Sequence, residues 1–284
     1  MPPVHAPDLE AVGRRGTLVY ECERDGPRTV LTRSSCTSPW HYVPPTYLDD
    51  SGCACLWLVN PSGGLAGGDQ VAVEARLHAG THVLLTSPSA NRVYRSLSEP
   101  AVQDIRLSVG PGARLEWLPE VTIPFAGARF RQSMQVDLAP GATVVLWDAM
   151  AAGRIAMPER WQFAEYGSEM VVRTAAGGLA VERYTVTGEA AGAIAGAWNY
   201  VGTLCIAGDT LGRDCLSELA GRLHQLCERQ SGSVLGGVSE PAVPGLVVKV
   251  VAYSAPALAT FLASAWEDIR ACLWRLPVPL LRRY

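Results

Sequence analysis

The sequence has few charged residues and no excess of either sign. Charged side chains make up 18% of the 284 residues, and the formal net charge is −3. A chain with this balance has no global positive field to attract nucleic acid or an acidic lipid surface. We therefore expect no nucleic-acid partner, and we expect any protein partner to be recognised through a local patch.

Long uninterrupted apolar segments are also absent. Residues 1–16 contain acids and prolines and have no apolar h-region of the secretory type. Two uncharged windows occur at residues 190–208 and 250–266, but glycine, alanine and polar residues dilute the first and Pro256 interrupts the second. Neither window is typical of a membrane span. The sequence predicts no membrane association and a cytoplasmic location.

The eight cysteines lack the spacing of a metal or disulfide framework. In a large cytosolic chain, cysteines are more often reduced core residues. Cys53 and Cys55 would share one face of a strand, and without a second such pair they are interpreted as strand packing rather than a zinc site. His78 and His82 have HxxxH spacing, but Gly80 places a turn between them. We favour two separate turn-flanking histidines, with metal binding by either pair left open.

Motifs of the common catalytic classes are missing too. There is no GxSxG or HExxH. The glycine-rich turn at residues 62–69 is followed by an alternating strand, whereas a phosphate-binding loop opens a helix and carries GxxxxGK[ST] or GxGxxG. We therefore predict that the chain is not an enzyme and does not bind a nucleotide through this turn.

What the sequence does contain is a strong β signal. Two short strands at 17–20 and 29–31 predict an opening hairpin, and the apolar run at 53–59 predicts a buried strand. Residues 70–77 alternate apolar and polar side chains, which predicts a half-buried strand.

An internal repeat organises the middle of the chain. The segments RLHAGTHVLLTS, LSVGPGARLEWLPE and VDLAPGATVVLWDA each have the pattern strand, glycine turn, strand. Their pivots are Gly80, Gly112 and Gly141, spaced 32 and 29 residues apart. Such units cannot bury their apolar faces alone, so we predict stacked hairpins in an elongated, β-solenoid-like body of two layers.

Helical patterns are confined to the later part of the chain. Residues 215–229 carry a leucine stripe, and a second helix is predicted after the cap Ser254 and before Pro277, with a strand at 245–253 between them. The fold class is therefore mostly β (α+β) with two C-terminal helices. We predict one domain over 1–284, with a β body over 1–190 and an α+β tail over 191–284.

Several carboxylates lie among apolar strands or next to glycines. Surface placement would account for any one of them. Several carboxylates that point into a water-filled channel could instead hold and release a divalent metal ion. The candidates are Asp69, Glu116, Asp148, Glu159 and Glu182.

Four ordered motifs resemble one known family. The segments NPSGGLAGGD, LLTSPSANRVYRS, ARLEWLPEVTIPFAGARF and LWDAMAAGRIAMPERWQF follow one another between residues 59 and 163. In this order and spacing they are similar to the urease accessory protein UreD (UreH) family, and the two-helix tail is loosely similar.

The resemblance implies a non-enzymatic chaperone. It would dock on apo-urease with the accessory proteins UreF and UreG, as a dimer of heteromers, and pass transient Ni²⁺ through an internal tunnel without a tightly bound cofactor. By motif, it implies metal-path roles for Asp69, Glu116, Asp148 and Glu159. The tunnel or structural polar residues would be Thr86, Ser87 and Arg154, and the partner-binding residues Tyr94 and Arg95.

Three other hypotheses stay open at this point. The chain could be a stand-alone nickel-binding or storage protein, or a divergent paralogue that serves as a scaffold for another metalloenzyme assembly. An enzyme on a β-scaffold is the third, and a nucleophile and base within hydrogen-bond reach in an ordered pocket would support it.

Overall fold

The structure, a computed structural model, describes residues 13–281. The described chain contains sixteen strands and three helices. The strands are β1 Arg15–Asp25, β2 Arg28–Cys36, β3 Ala54–Trp57, β4 Gln70–Leu77, β5 His82–Thr86, β6 Asn91–Val93, β7 Ala101–Val109, β8 Arg114–Leu118, β9 Thr122–Pro124, β10 Arg129–Leu138, β11 Thr143–Ala151, β12 Glu165–Thr174, β13 Leu179–Val186, β14 Tyr200–Ala207, β15 Val234–Ser239 and β16 Gly245–Ala252. The helices are α1 Gly188–Ala195, α2 Arg213–Arg229 and α3 Ala255–Trp274.

The strands form two stacked sheets. One has seven strands in the order β13-β12-β10-β7-β4-β1-β2, and the other has nine in the order β15-β16-β14-β11-β8-β5-β3, with β6 and β9 paired at its side. One apolar cluster lies between the sheets, and a second lies between the nine-stranded sheet and helices α2 and α3. The predicted mostly β, solenoid-like body of two layers is confirmed.

The repeat units differ from the predicted hairpins in one respect. The first arms, β4, β7 and β10, pair with one another in parallel within the seven-stranded sheet. The second arms, β5, β8 and β11, pair in parallel within the nine-stranded sheet. Each unit is therefore an arch between the sheets, and its two arms do not hydrogen-bond to each other. Stacking in this way lets both arms face the same core.

Glycine makes the arches possible at their pivots. Gly80, Gly112 and Gly141 have φ values of 67°, 64° and 73°, a left-handed conformation that costs glycine little. The Gly80 N–H donates to the carbonyl of Pro111 at 2.9 Å, and the Gly112 N–H donates to that of Pro140 at 3.0 Å. Each turn is thereby hydrogen-bonded to the next one in the stack.

The elements outside the repeat agree with the predictions in part. The opening hairpin is present as β1 and β2 and is longer than predicted. The two predicted C-terminal helices are α2 and α3, and the Ser254 hydroxyl accepts from the Ala257 N–H as an N-cap. Helix α1 and strands β14 and β15 were not predicted. β14, β15 and β16 extend the nine-stranded sheet, and the division of the chain at residue 190 stays a prediction.

Across residues 13–281, every helix is too short or too polar to cross a membrane. The prediction that residues 1–16 lack a secretory leader falls mainly on residues 1–12, which lie outside the described part of the chain.

Candidate functional site

Asp148 is a half-buried carboxylate of β11 that faces the seven-stranded sheet. It lies on the same face of β11 as Val144 and Leu146, which belong to the core between the sheets. Its Oδ2 accepts hydrogen bonds from Gln132 Nε2 at 3.0 Å and Ser168 Oγ at 3.2 Å. Both donors belong to the seven-stranded sheet, so Asp148 bridges the two layers.

Within residues 13–281, the side-chain hydrogen bonds to this carboxylate come from neutral donors. Burial raises the pKa of Asp148, and the hydrogen bonds from Ser168 and Gln132 only partly oppose that rise. The nearby charge of Lys249 also acts to lower this pKa, but no described cation is hydrogen-bonded to the carboxylate, so the ionised group would attract a passing cation.

Two cavities share Asp148 as a wall. The smaller one, of about 90 Å³, is also lined by Ser87, Gln103 and Glu120. The larger one, of about 600 Å³, is lined on the far side by Glu182 and has helix α1 at its rim. Ser87, Asp148 and Glu182, which the sequence predicted, thus line two cavities that have Asp148 in common.

The larger cavity contains a residue that the sequence reasoning missed. Lys249 is the single lysine of the chain. Its Nζ contacts Glu182 Oε1 and donates to Thr203 Oγ1 at 3.0 Å, and Thr203 Oγ1 donates to Glu182 Oε1 at 3.1 Å. Burial lowers the pKa of Lys249, while the nearby Asp148 charge acts to raise it. The signal for this residue was a lone cation within the apolar strand GLVVKVVA.

Four other predicted residues meet on the surface around Phe125. We define the Phe125 patch as Tyr94, Arg95, Phe125, Arg154 and Glu159. The Arg154 guanidinium lies 4.5 Å from the centre of the Phe125 ring, and its Nε donates to Glu159 Oε2 at 2.7 Å. The Tyr94 ring contacts Phe125 edge-on at 5.2 Å.

Local backbone geometry holds the patch together. Gly153 has φ 127°, and a Cβ placed there would lie 2.3 Å from the Glu159 carbonyl oxygen, so only glycine allows this close approach. Hydrogen bonding to Arg154 lowers the pKa of Glu159. Glu159 lies in a half-buried ion pair with Arg154 and lines neither cavity.

Asp69 closes the glycine-rich turn. Its Oδ1 accepts from the Arg14 backbone N–H at 2.8 Å, and its Oδ2 accepts from Arg14 Nη2 at 2.6 Å and from the Ala66 N–H at 2.9 Å. Burial acts to raise the pKa of Asp69, but these hydrogen bonds lower it overall. Asp69 lines neither cavity, and its contacts join the turn to the residue before β1.

Glu116 lies on the other face of the nine-stranded sheet, beneath α3. Its Oε1 is 2.7 Å from His82 Nε2, its Oε2 accepts from Trp266 Nε1, and Arg270 Nη1 is 3.8 Å from Oε1. Arg270 is fully buried and also reaches Asp49 at 3.2 Å. We call these side chains the Glu116 network.

The Glu116 network also includes a possible ligand set for a metal. One ligand atom each from Cys53, His82 and Glu116 lie within 4.8 Å of one another, all buried. The guanidinium of Arg270 already supplies positive charge to Glu116, which disfavours a second cation there. His78 is not part of this set, because its Nε2 contacts Glu21 Oε1 at 2.9 Å.

Thr86, predicted with Ser87, is buried between these regions. Its Oγ1 donates to the Leu118 carbonyl at 2.7 Å, a contact between neighbouring strands. Ser87, by contrast, accepts from the Glu120 N–H at 2.8 Å in the wall of the smaller cavity.

Comparisons with known proteins agree on one family. The family model described as UreD urease accessory protein matches residues 14–283. The chain is 31% identical to the urease accessory protein UreD of Cupriavidus pinatubonensis over 261 residues, which is 90% of this chain and 89% of that protein. It is 41% identical to the UreD of Deinococcus radiodurans over 169 residues, covering 58% and 60% of the two chains.

Proposed function

Because the chain belongs to the UreD family of urease accessory proteins, we propose that it acts in urease maturation as a non-enzymatic chaperone. In this role it docks on apo-urease together with UreF and the GTPase UreG, in the cytoplasm, within a dimer of heteromers. Its task is to help nickel reach the urease active site. Nickel is the cargo of this process and is bound only in passing.

The observation that carries the proposal is the position of Asp148. This carboxylate lines both cavities and is bonded only to neutral donors. A Ni²⁺ ion that reaches it would compensate a half-buried negative charge, while oxygen ligands would bind the ion weakly enough to release it. Glu120 on one side and Glu182 on the other extend the row of carboxylates through both spaces.

We assign partner binding to the Phe125 patch. Arg95 presents an exposed positive charge, Arg154 is paired with Glu159 and stacks on Phe125, and Tyr94 adds further aromatic area. Arginine and aromatic side chains are enriched where protein interfaces gain most of their binding energy. An acidic and apolar surface of UreF or urease would match this composition.

The experiment compares Asp148→Asn with wild type during co-expression with urease and its other accessory proteins. We expect the Asn variant to form the same complex, recovered by affinity purification, and to leave urease with a several-fold lower nickel content. Nickel is measured by mass spectrometry of the purified urease.

The matched control is Asp104→Asn, which removes an exposed carboxylate from β7 of the seven-stranded sheet. It should load nickel as the wild type does. Wild-type nickel content in urease matured with Asp148→Asn would refute the proposal that nickel passes Asp148 on its way to urease.

A second candidate is a stand-alone nickel-binding protein, which the grouping of Cys53, His82 and Glu116 favours. Equilibrium dialysis of the isolated chain against micromolar Ni²⁺ decides between the two. Tight binding that Cys53→Ala abolishes would support storage at this group. No retained metal in the isolated chain would exclude nickel storage and would be consistent with transient passage of nickel at Asp148.

A further inference from the structure

Two cysteines of the helical layer lie within bonding reach of each other. Cys215 is in the first turn of α2, and Cys272 is in the last turn of α3. Their Sγ atoms are 2.9 Å apart, closer than two non-bonded sulfur atoms normally approach. A disulfide bond measures about 2.0 Å, so the two sulfur atoms need to close only about 0.9 Å.

The helices are already aligned for such a link. Arg222 of α2 lies 3.7 Å from Asp268 of α3, measured from Nη1 to Oδ1. Together with the contact between Cys215 and Cys272, this pairing makes the two helices antiparallel neighbours. A bond between the two sulfur atoms would therefore join neighbouring antiparallel helices.

Access also sets this pair apart from the other thiols. Cys215 and Cys272 are both half-buried, whereas Cys22, Cys53, Cys55, Cys205 and Cys227 are buried. Cys36 is half-buried as well, but it lies at the end of β2 in the other sheet. The pair is thus open to a small reagent and has a partner sulfur in place.

We propose that Cys215 and Cys272 form a reversible disulfide that clamps α2 to α3, a modification site whose reactant is a low-molecular-weight disulfide such as oxidised glutathione. One cysteine thiolate attacks a sulfur of oxidised glutathione and releases one glutathione thiolate, leaving a mixed disulfide. The second cysteine, after losing its proton, attacks the protein sulfur of that mixed disulfide and releases the second glutathione. The protein loses two electrons and two protons, and the two glutathione molecules gain them.

The link should stabilise the fold and require an added oxidant. It joins residues 57 positions apart, and closing a loop of that length restricts the unfolded chain. Burial and the Cys215 side chain raise the pKa of Cys272 to about 12, which favours the thiol form before the oxidant is added. We expect a rise in Tm of about 5 °C or more on oxidation.

The experiment uses the full chain, reduced and then incubated with millimolar oxidised glutathione. We expect the count of free thiols, measured after unfolding, to fall from eight to six. Peptide mass spectrometry should find the peptide of Cys215 linked to the peptide of Cys272, and dithiothreitol should restore both thiols and the lower Tm.

Cys215→Ser and Cys272→Ser should each lose the linked peptide and the rise in Tm. The matched control Cys36→Ser removes the other half-buried thiol and should keep both. Retention of all thiols, a link to a different cysteine, or glutathione bound at either position without the cross-link would each overturn the proposal. These outcomes do not depend on nickel delivery to urease.

Discussion

Glu116, which is fully buried, and Asp148, which is half-buried, are carboxylates of adjacent strands in one sheet, yet they are in opposite chemical situations. Glu116 on β8 pairs in register with Val145 of β11, three residues before Asp148. Glu116 faces the helices and is bonded by His82 and Trp266 with Arg270 close by. Asp148 faces the other sheet, is bonded by an amide and a hydroxyl, and borders two cavities.

The difference indicates which carboxylates inside the protein can attract a metal cation that passes through a cavity. Glu116 is compensated by the protein itself, so its charge contributes to holding α3 on the sheet. Asp148 is uncompensated by any directly bonded cation and is next to open space. Burial alone therefore does not mark a metal path, whereas the identity of the hydrogen-bond donors separates the two cases.

The largest expected effect is on the Glu116 network. Glu116→Ala removes one of the two carboxylates near the buried Arg270, leaving Asp49, and also removes the acceptor of Trp266 Nε1. Disrupting a buried ionic network costs about 3–5 kcal/mol. We expect a loss of that size in the free energy of unfolding, measured by urea denaturation. Glu74→Ala, which removes an exposed carboxylate 3.8 Å from Arg106, is the control and should change little. A loss below about 1 kcal/mol for Glu116→Ala would mean that Glu116 does not stabilise the fold and would remove its contrast with Asp148.

Asp69 should behave like Glu116, with a smaller effect. Asp69→Ala leaves the backbone N–H groups of Arg14 and Ala66 without their acceptor, which costs about 1–3 kcal/mol. Because the folded-state pKa of Asp69 is below its ordinary value of 3.8, its contribution is present above that value and is lost as pH falls through the folded pKa. Denaturation at pH 7 and at pH 3 should give a smaller difference between variant and wild type at the lower pH. An equal difference at both would contradict this.

Substitution of Lys249 tests whether Ni²⁺ enters the larger cavity by removing a positive charge from its wall. Its ammonium contacts Glu182 and repels any cation in the larger cavity. Lys249→Met removes that charge, and we expect the complex with UreF to bind Ni²⁺ several-fold more tightly, measured by isothermal titration calorimetry. Lys249→Arg keeps the charge and should bind as the wild type does. Unchanged affinity in the Met variant would mean that Ni²⁺ does not enter this cavity.

The smallest expected effect on stability is at Asp148. Because burial raises its folded-state pKa above the ordinary 3.8, the folded protein is disfavoured once the carboxyl ionises above that pH. Asp148→Asn removes this cost, so the variant should be at least as stable as the wild type at pH 7. The two should converge as pH falls below 3.8, where the wild-type carboxyl becomes protonated in the unfolded state as well as in the folded state. A loss above about 0.5 kcal/mol at pH 7 would contradict the comparison.

Much of the fold was predictable because the glycine pivots and the strand periods are local. The alternation of β4 and the turns at Gly80, Gly112 and Gly141 are visible in the sequence. The arches were mistaken for hairpins because both have the same order of strand, turn and strand. The burial of the arms separates them: β4 alternates, whereas β5 is buried at every position, and paired arms of one hairpin would share the same two faces.

A residue of the site was predictable only where it was a charged residue within an apolar stretch of the sequence. Asp148 was a candidate because it interrupts an apolar run, and the same signal was available for Lys249. The contrast between Asp148 and Glu116 could not be predicted, because the partners come from far along the chain. Trp266 lies 150 positions after Glu116, and no local pattern connects them. β14 escaped prediction since a strand buried on both faces has no period.

That separation in the chain also sets an order of events during synthesis. A ribosome releases Glu116 and the apolar face of its sheet 150 residues before Trp266 follows, and Asp49 precedes Arg270 by 221 residues. At about 5–20 residues per second, the wait for Trp266 alone lasts roughly 8–30 s. During this interval the nascent β body presents a charged and apolar surface that α2 and α3 cover in the folded chain. Helper proteins that bind such surfaces would therefore meet this maturation factor before it can meet urease.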